Sequence, residues 1–410
     1  MIAFSTAPTT ALDSSGGRCM YEQVDRLREM GPAVPVQLPE GVGAWSVTRG
    51  DVVRLLLTHP GVSRNLKKNV PSYEPGSVPW LSPWVDVDSM ATAEGKDHAR
   101  LRKLITPAFT PRRVQAMRPQ VEAIVNRLLD ELAARPADEA VDLHAAFSYR
   151  VPTEMICDLF GVPADQRAKV LHLFVAVGET DVTEEESLAI NNDLVSTMRT
   201  LIDTKRQDPG EDLTSFLLAA REEGNDPLTE HELISTLLLM LGGGSTTTIN
   251  LLDHTVRELL AHPEQLRTLR DAEPGRWTDA IEESLRLHCP VMHLPMRWAV
   301  EDIDLGEGVV IRAGDAILIA YGAHGRDPAV HDRPDVFDID RADKDHIAFS
   351  QGAHFCPGSH LARLEALVAL PALFDRFPRL QLAIKPDETE HERTFIGNGL
   401  TALPVFLRHS

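Results

Sequence analysis

The apolar positions of this chain recur mainly at helical spacing. The clearest run opens at Thr229-Glu230-His231-Glu232, a capping box with threonine at the N-cap and glutamate three residues on. It continues through Leu233, Ile234, Leu237, Leu238, Leu241, Ile249, Leu252 and Val256 to His262-Pro263. This spacing predicts one helix over 229–261, roughly 50 Å long at 1.5 Å per residue. Its centre is apolar on most sides and should be buried. Gly242, Gly243 and Gly244, followed by Ser245, Thr246, Thr247 and Thr248, occupy that centre. Each glycine costs about 1 kcal/mol against alanine in a helix interior, and the hydroxyls can bond back to the preceding turn. The pattern therefore predicts a kink where something lies against the backbone. Close helix–helix packing through small residues is the competing reading.

Further helical patterns cover 51–57, 97–109, 113–134, 275–289 and 359–374, with a longer stretch over 143–222 broken at Pro152, Pro163 and Pro209. Short apolar pieces between turn residues predict hairpins at 34–38 with 44–48, and at 309–311 with 316–320 around Arg312-Ala313-Gly314-Asp315. A third is expected in the last twenty residues, through Gly397-Asn398-Gly399. Residues 61–90 have no period. Pro71, Pro75, Pro79 and Pro83 alternate there with Tyr73, Trp80 and Trp84, and loops of that length are often functional. The fold class is mostly α with small β-sheets. Residues 1–19 read as a flexible tail, and no composition shift divides 20–410 into more than one domain.

Composition narrows the function classes. Among 410 residues, 41 are Lys or Arg and 61 are Asp or Glu, for a net charge of −20. Steering of the whole molecule onto nucleic acid or an anionic membrane is disfavoured. Hydrophobic residues at 43% exclude a disordered chain. Cys19, Cys157, Cys289 and Cys356 are widely spaced with no CxxC pair, so a reducing compartment and no disulfide framework are expected. With no basic-then-apolar leader and no run of 18 apolar residues, the expected location is the cytoplasm.

Candidate chemistry concentrates in Phe349-Ser350-Gln351-Gly352-Ala353-His354-Phe355-Cys356-Pro357-Gly358. A cysteine between glycines, just before a helix, would meet backbone N–H groups and the positive end of a helix dipole, which favour the thiolate. The glycines would let a large flat group approach. Three chemistries compete: a zinc site using His354, Cys356 and His360, a nucleophilic cysteine with a distant base, and an axial thiolate on haem iron.

The segment resembles the haem-binding loop of the cytochrome P450 family, Phe-x-x-Gly-x-x-x-Cys-x-Gly, with Phe349, Gly352, Cys356 and Gly358 in the four fixed places. Ser350 stands where that family usually has glycine. The resemblance extends over nearly the whole chain. Glu283-Ser284-Leu285-Arg286 fits the family's Glu-x-x-Arg, which with Arg341 would form its structural Glu-Arg-Arg cluster. His98 and Arg102 fit the His-x-x-x-Arg pair that reaches the haem propionates, and Arg297 and His354 fit two further propionate ligands. The resemblance thus implies the cytochrome P450 fold with a long kinked central helix beside haem b, and Cys356 as the iron ligand. The glycine-rich helix fits the family's Ala/Gly-Gly-x-Asp/Glu-Thr pattern in a register anchored on Asn250, making Thr247 the family threonine and placing Thr246 at the usual acid. The alternative register uses Ser245 and Thr246. No carboxylate appears in either, so Ser245, Thr246 and Thr247 would have to organise water or a substrate hydroxyl for proton delivery.

By resemblance the chain would be a haem-thiolate monooxygenase that inserts one atom of O2 into a hydrophobic small molecule by hydroxylation or epoxidation, in secondary metabolism such as polyketide or macrolide tailoring. The missing acid keeps oxidative coupling, ring formation or peroxide-driven oxidation as an alternative. A haem-binding sensor or carrier is the non-enzyme alternative. The implied pocket draws on the 61–90 loop, the 160–190 region, the central helix, the segment after Glu-x-x-Arg and the last hairpin. Its candidate residues are Trp80, Trp84, Val85, Met90, Leu241, Gly244, Val291, Met292, His293, Ile396 and Leu400. Electrons would come from a ferredoxin and its reductase, drawing on NADPH or NADH. Arg100, Lys103, Arg112, Arg113 and Arg363 would form the basic patch that steers this acidic partner. No nucleic-acid or membrane partner is expected, and a monomer is.

Overall fold

The structure, a computed structural model, describes residues 10–13, 16–70, 73–136, 139–177, 183–223 and 228–407. The central element is the helix Glu230–Ala261. Its capping box forms as the sequence predicts: Thr229 Oγ1 accepts from the Glu232 N–H at 3.1 Å, and the Glu232 carboxylate accepts from the Thr229 N–H at 2.8 Å. The helices Arg150–Phe160, Trp277–Leu287 and Ser359–Arg376 pack against it. Together they bury one apolar core that includes Phe147, Met155, Leu237, Leu252, Leu285 and Phe374. Every residue from Glu230 to Ala261 is helical, so the predicted kink is not a break in the helix. The weakness takes the form of back-bonding, Ser245 Oγ to the carbonyls of Leu241 (3.0 Å) and Gly242 (3.3 Å), and Thr247 Oγ1 to that of Gly243 (2.9 Å).

A six-stranded sheet flanks the helices, in the order Thr10–Ala11, Val34–Gln37, Gly43–Val47, Ala316–Ile319, Arg297–Ala299, Val62–Ser63. The hairpin of Val34–Gln37 with Gly43–Val47 forms as expected. The one expected around Arg312–Asp315 does not. Val310–Ile311 pairs instead with Ile303–Asp304, while Ala316–Ile319 inserts between Gly43–Val47 and Arg297–Ala299. All four residues of Ala316–Ile319 are buried, as suits a central strand whose two edges are both taken. In the C-terminal segment the reversal through Gly397 and Gly399 forms, with His391 bridged to Leu400.

Two further expectations change. The helical run at 113–134 is two helices, Pro111–Ala116 and Arg118–Ala133, because Pro119 has no N–H and must sit in the first turn of a new helix. The described part of 1–19 is not a loose tail. Thr10 and Ala11 pair in parallel with Val36 and Gln37, and the helix Gly17–Met30 starts within it. Buried Leu12 and Met20 hold this segment down. Among the described residues no helix is long and apolar enough to cross a membrane, and the four cysteines are free.

Candidate cofactor and oxygen-activation site

The cysteine segment wraps back on itself before the helix Ser359–Arg376. The Cys356 N–H donates to the Phe349 carbonyl at 2.9 Å, and Ser350 donates to that of Ile347 at 2.8 Å. Gly352 has φ +74°, where a side chain would be strained, and a Cβ there would also press on Thr58. Ser350 adopts φ +62°, so the residue in the usual glycine place takes a glycine-like conformation at a cost of about 1–2 kcal/mol. Gly358 has an ordinary φ of −80°, and a Cβ on it would stand 3.8 Å from the Cys356 sulfur. Neither backbone conformation nor a clash therefore demands glycine there, since a Cβ would make only ordinary contact with the sulfur. Burial pushes the Cys356 thiol up, against the opposing pull of the Gly358 and Ser359 N–H groups and of Arg102 and Arg363. The helix end thus counters burial without overcoming it, contrary to the expected net depression.

Beside this loop the fold gathers cations. His98, on the helix Gly95–Ile105, lies 4.7 Å from His354, ring to ring. Arg102, one turn later, donates to the Ala353 carbonyl at 3.2 Å. Arg297 donates to the Tyr321 hydroxyl at 3.2 Å. Arg64 and Tyr321, which no sequence pattern flagged, belong to the same cluster: burial and then Arg64, Arg297, His98 and Arg102 push His354 down to about 2. Burial opposes ionisation of the Tyr321 phenol, yet Arg297 and Arg64 hold it below its usual value. His98 Nε2 and Arg297 Nε are buried without a hydrogen-bond partner. No carboxylate among the described residues pairs with the guanidinium of Arg64, Arg102 or Arg297. Buried cations without anions are costly, so the cluster fits a group that brings its own carboxylates. The two propionates of haem answer that description. Among the described residues no group of three His, Cys, Asp or Glu is arranged to hold a metal.

The Glu-Arg-Arg cluster lies behind the loop. Glu283 and Arg286 are fully buried and joined by two 2.8 Å bonds, and Arg341 Nε donates to Glu283 at 3.2 Å. Arg286 also donates to the carbonyls of Gly325, Pro334 and Val336. Every charge is hydrogen-bonded, the condition under which a buried ion cluster is tolerable.

On the central helix, Gly243 and Thr247 share one face. Thr247 is partly exposed, and a Cβ on Gly243 would meet nothing within 4 Å. The open face therefore favours the register with Thr247 as the family threonine. Thr246 is partly exposed as well. Ser245 is buried with its hydroxyl committed to Leu241 and Gly242, so the structure does not bring it to the site.

The expected pocket residues divide. Trp84 and Val291 are partly exposed. Trp80, Val85 and Ile396 are buried in the core behind the six-stranded sheet, where Trp80 donates to the Pro39 carbonyl and stands edge-on to Phe395 at 5.3 Å. Met90, Leu241 and Leu400 belong to the main helical core. Gly244 is a packing residue, because a Cβ there would come 2.7 Å from Ile156 Cδ1. Met292 faces away, toward Met20, Tyr21 and Val24. His293 is buried, bonds the Phe395 carbonyl through Nδ1 at 2.6 Å, and is pushed down to about 4 by burial. Residues 178–182 of the expected 160–190 wall lie outside the described residues.

The expected basic patch is also reduced. Arg100 is tied to Glu232 on the central helix. Arg363 makes two bonds to Glu282, at 2.6 and 2.8 Å, with its guanidinium 4.4 Å from the Phe349 ring centre. Lys103, Arg112 and Arg113 are exposed, without a partner among the described residues.

Comparison with known proteins agrees with this geometry. Residues 277–403 match the family model described as Cytochrome P450. The chain is 43% identical over 396 residues to 2-hydroxy-5-methyl-1-naphthoate 7-hydroxylase of Streptomyces carzinostaticus, covering 96% of each chain. It is 35% identical over 394 residues to 6-deoxyerythronolide B hydroxylase of Saccharopolyspora erythraea, covering 94% of this chain and 96% of the relative. Among solved structures, CYP154A1 from Streptomyces coelicolor A3(2) superposes with a TM-score of 0.91 at 42% identity, over 97% of this chain and all of the other. The chain with the cysteine loop, the buried Glu-Arg-Arg cluster and the glycine-faced central helix belongs to the cytochrome P450 family, as a bacterial monooxygenase of secondary metabolism.

Proposed function

We propose that this monooxygenase binds haem b through the Cys356 thiolate, with His98, Arg102, Arg297 and His354 against the propionates, and hydroxylates a largely apolar aromatic molecule of polyketide origin. The observation that carries the cofactor assignment is the cationic cluster without carboxylates beside the Cys356 loop. The naphthoate-hydroxylating relative supports the aromatic substrate class. Haem held there would supply the electron transfer and oxygen activation that no side chain of this protein provides.

The chain's own residues do the positioning. Gly243 leaves the helix bare over the cofactor face. Thr247 anchors its hydroxyl on the Gly243 carbonyl at 2.9 Å, which leaves its oxygen free to accept from a water or a substrate hydroxyl. Thr246 cannot act as an acid near neutral pH, so protons reach Thr247 through water or through the substrate itself. This same substitution favours the second reading, in which the protein catalyses oxidative coupling or ring closure. Lys103, Arg112 and Arg113 form the landing site for a ferredoxin, in a cytoplasmic monomer.

The test begins with the absorption spectrum of the reduced protein under carbon monoxide. A Soret band at the haem-thiolate position is expected; a band without that signature sinks the assignment of Cys356. Turnover of 2-hydroxy-5-methyl-1-naphthoate with a surrogate ferredoxin and reductase should then give a product heavier by one oxygen atom. A product formed by loss of two hydrogens would favour the coupling reading instead.

A further inference from the structure

Arg64 follows the strand Val62–Ser63, which pairs antiparallel with Arg297–Ala299 through Val62↔Ala299 and Ser63↔Trp298. One step further along that register, Arg64 stands opposite Arg297. The two are 4% and 3% exposed. Like charges directly opposed on neighbouring strands repel, and burial removes the water that would screen them. Neutral carbonyls hold Arg64 in place: Nε donates to Ala91 at 3.0 Å and Nη1 to Pro295 at 3.3 Å. Its backbone N–H donates to the Glu94 carboxylate at 2.8 Å. Glu94 is the N-cap of Gly95–Ile105, the helix that carries His98 and Arg102, and Pro295 lies two residues before Arg297. Arg64 therefore joins the two segments that bear the rest of the cluster. With Nε and one Nη1 hydrogen committed, the Nη2 donors of its fork remain for an anion.

We propose that Arg64 is a fifth member of the propionate-binding cluster, a cofactor-positioning residue that shares a haem carboxylate with Arg297 and ties the His98–Arg102 helix to the Arg297 strand. This rests on the haem assignment above and adds to it a residue and a charge count. Three guanidiniums face two propionates, so one positive charge is left over. A surplus positive charge near the iron favours the reduced state.

The experiment uses the holoenzyme and two variants, Arg64→Met, which removes the charge at similar length, and Arg64→Lys, which keeps the charge and loses the fork. Haem loss is followed by transfer to apomyoglobin, and the midpoint potential by spectroelectrochemistry. Arg64→Met should lose haem faster, on the order of tenfold, with a more negative potential. Arg64→Lys should lose haem faster while holding its potential near that of the parent. A role in packing alone would lower the unfolding temperature of both variants without separating their potentials, and that result overturns the proposal. Unchanged haem loss with weakened binding of the naphthoate carboxylate overturns it too, by assigning Arg64 to the substrate. Should Arg64→Met fail to fold, a potential shift in Arg64→Lys as large as the one between parent and Arg64→Gln would reject the charge argument. A parent protein without thiolate-ligated haem brings down the underlying reading, and is recognised before any variant is made.

Discussion

Gly243 and Gly244 are chain neighbours with opposite surroundings. A methyl on Gly243 meets open space, whereas one on Gly244 strikes Ile156 of the adjoining helix. For Gly244→Ala an overpacking cost of about 1–3 kcal/mol is offset by about 1 kcal/mol of helix propensity, so it should be neutral to about 2 kcal/mol destabilising, with a thermal midpoint below that of Gly243→Ala. Gly243→Ala should leave stability unchanged or raise it by roughly 1 kcal/mol, and show its effect instead as altered substrate-induced spectral shifts. As neighbouring glycines of one helix they are indistinguishable in sequence, since only the position of Ile156 separates them. Thr247→Ala removes the hydroxyl anchored on the Gly243 carbonyl. Its expected effect is a several-fold rise in peroxide released per NADPH consumed, with haem content intact; unchanged coupling would end the role given to Thr247. Arg64 was illegible for a related reason. A lone arginine in a loop carries no pattern, and only strand pairing sets it against Arg297.

At the scale of elements, periodicity and capping made the helices readable. Thr229 and Glu232 announced the start of Glu230–Ala261 because a capping box is local chemistry. Strand partnership is not local. Ala316–Ile319 was legible as a strand, but its partners Gly43–Val47 and Arg297–Ala299 are remote in sequence. The Glu283, Arg286 and Arg341 cluster shows how a remote residue completes a local motif. Glu283 and Arg286 share a helix, while Arg341 arrives from a segment that the Arg286 side chain itself braces through the carbonyls of Pro334 and Val336. Glu283→Gln leaves two buried guanidiniums uncompensated and should cost about 3–5 kcal/mol. Loss of soluble, haem-containing protein on expression, against normal yield for an exposed control such as Glu388→Gln, is the expected result.

Over the whole molecule, the second half of the central helix meets the C-terminal segment through stacked imidazoles. His254 lies 4.5 Å from His288 and 6.0 Å from His391. Burial holds His254 well below its usual value, and pushes His288 and His391 down to about 4. Glu258 and Arg257 pair beside them, with the Glu258 carboxylate held at about 2 against burial by His288 and Arg257. Imidazoles that stay neutral when folded but protonate when unfolded stabilise the fold above about pH 6.5, and that contribution fades as pH falls toward 4. Each extra proton taken up on unfolding weakens stability by about 1.4 kcal/mol per pH unit. His144, Asp253 and Glu392 are raised and act in the opposite sense. Urea midpoints should therefore drop between pH 7 and pH 5, and drop less in His391→Asn; parallel curves for the two proteins would exclude this source. The overall charge of −20 leaves Lys103, Arg112 and Arg113 as a local exception. Arg112→Glu should slow reduction by an acidic ferredoxin several-fold at low salt and flatten its salt dependence, whereas Arg363→Gln, already spent on Glu282, should not flatten it.

The segment around Gly16, Gly17 and Tyr21 braces the C-terminal turn. Gly16 and Gly17 fit so closely against Glu392 and His391 that a Cβ on either would collide. Tyr21 receives a bond from Asn398 at 2.6 Å. Between those contacts runs the stretch with Phe395 and Ile396, which braces Trp80 and His293. Gly16, Gly17 and Tyr21 thus buttress that stretch from outside. On the site proposed above, loosening that brace with Gly17→Ala would leave Cys356 and Thr247 untouched, and the injury should surface as a broader spread of oxidation positions on one substrate rather than as a dead enzyme.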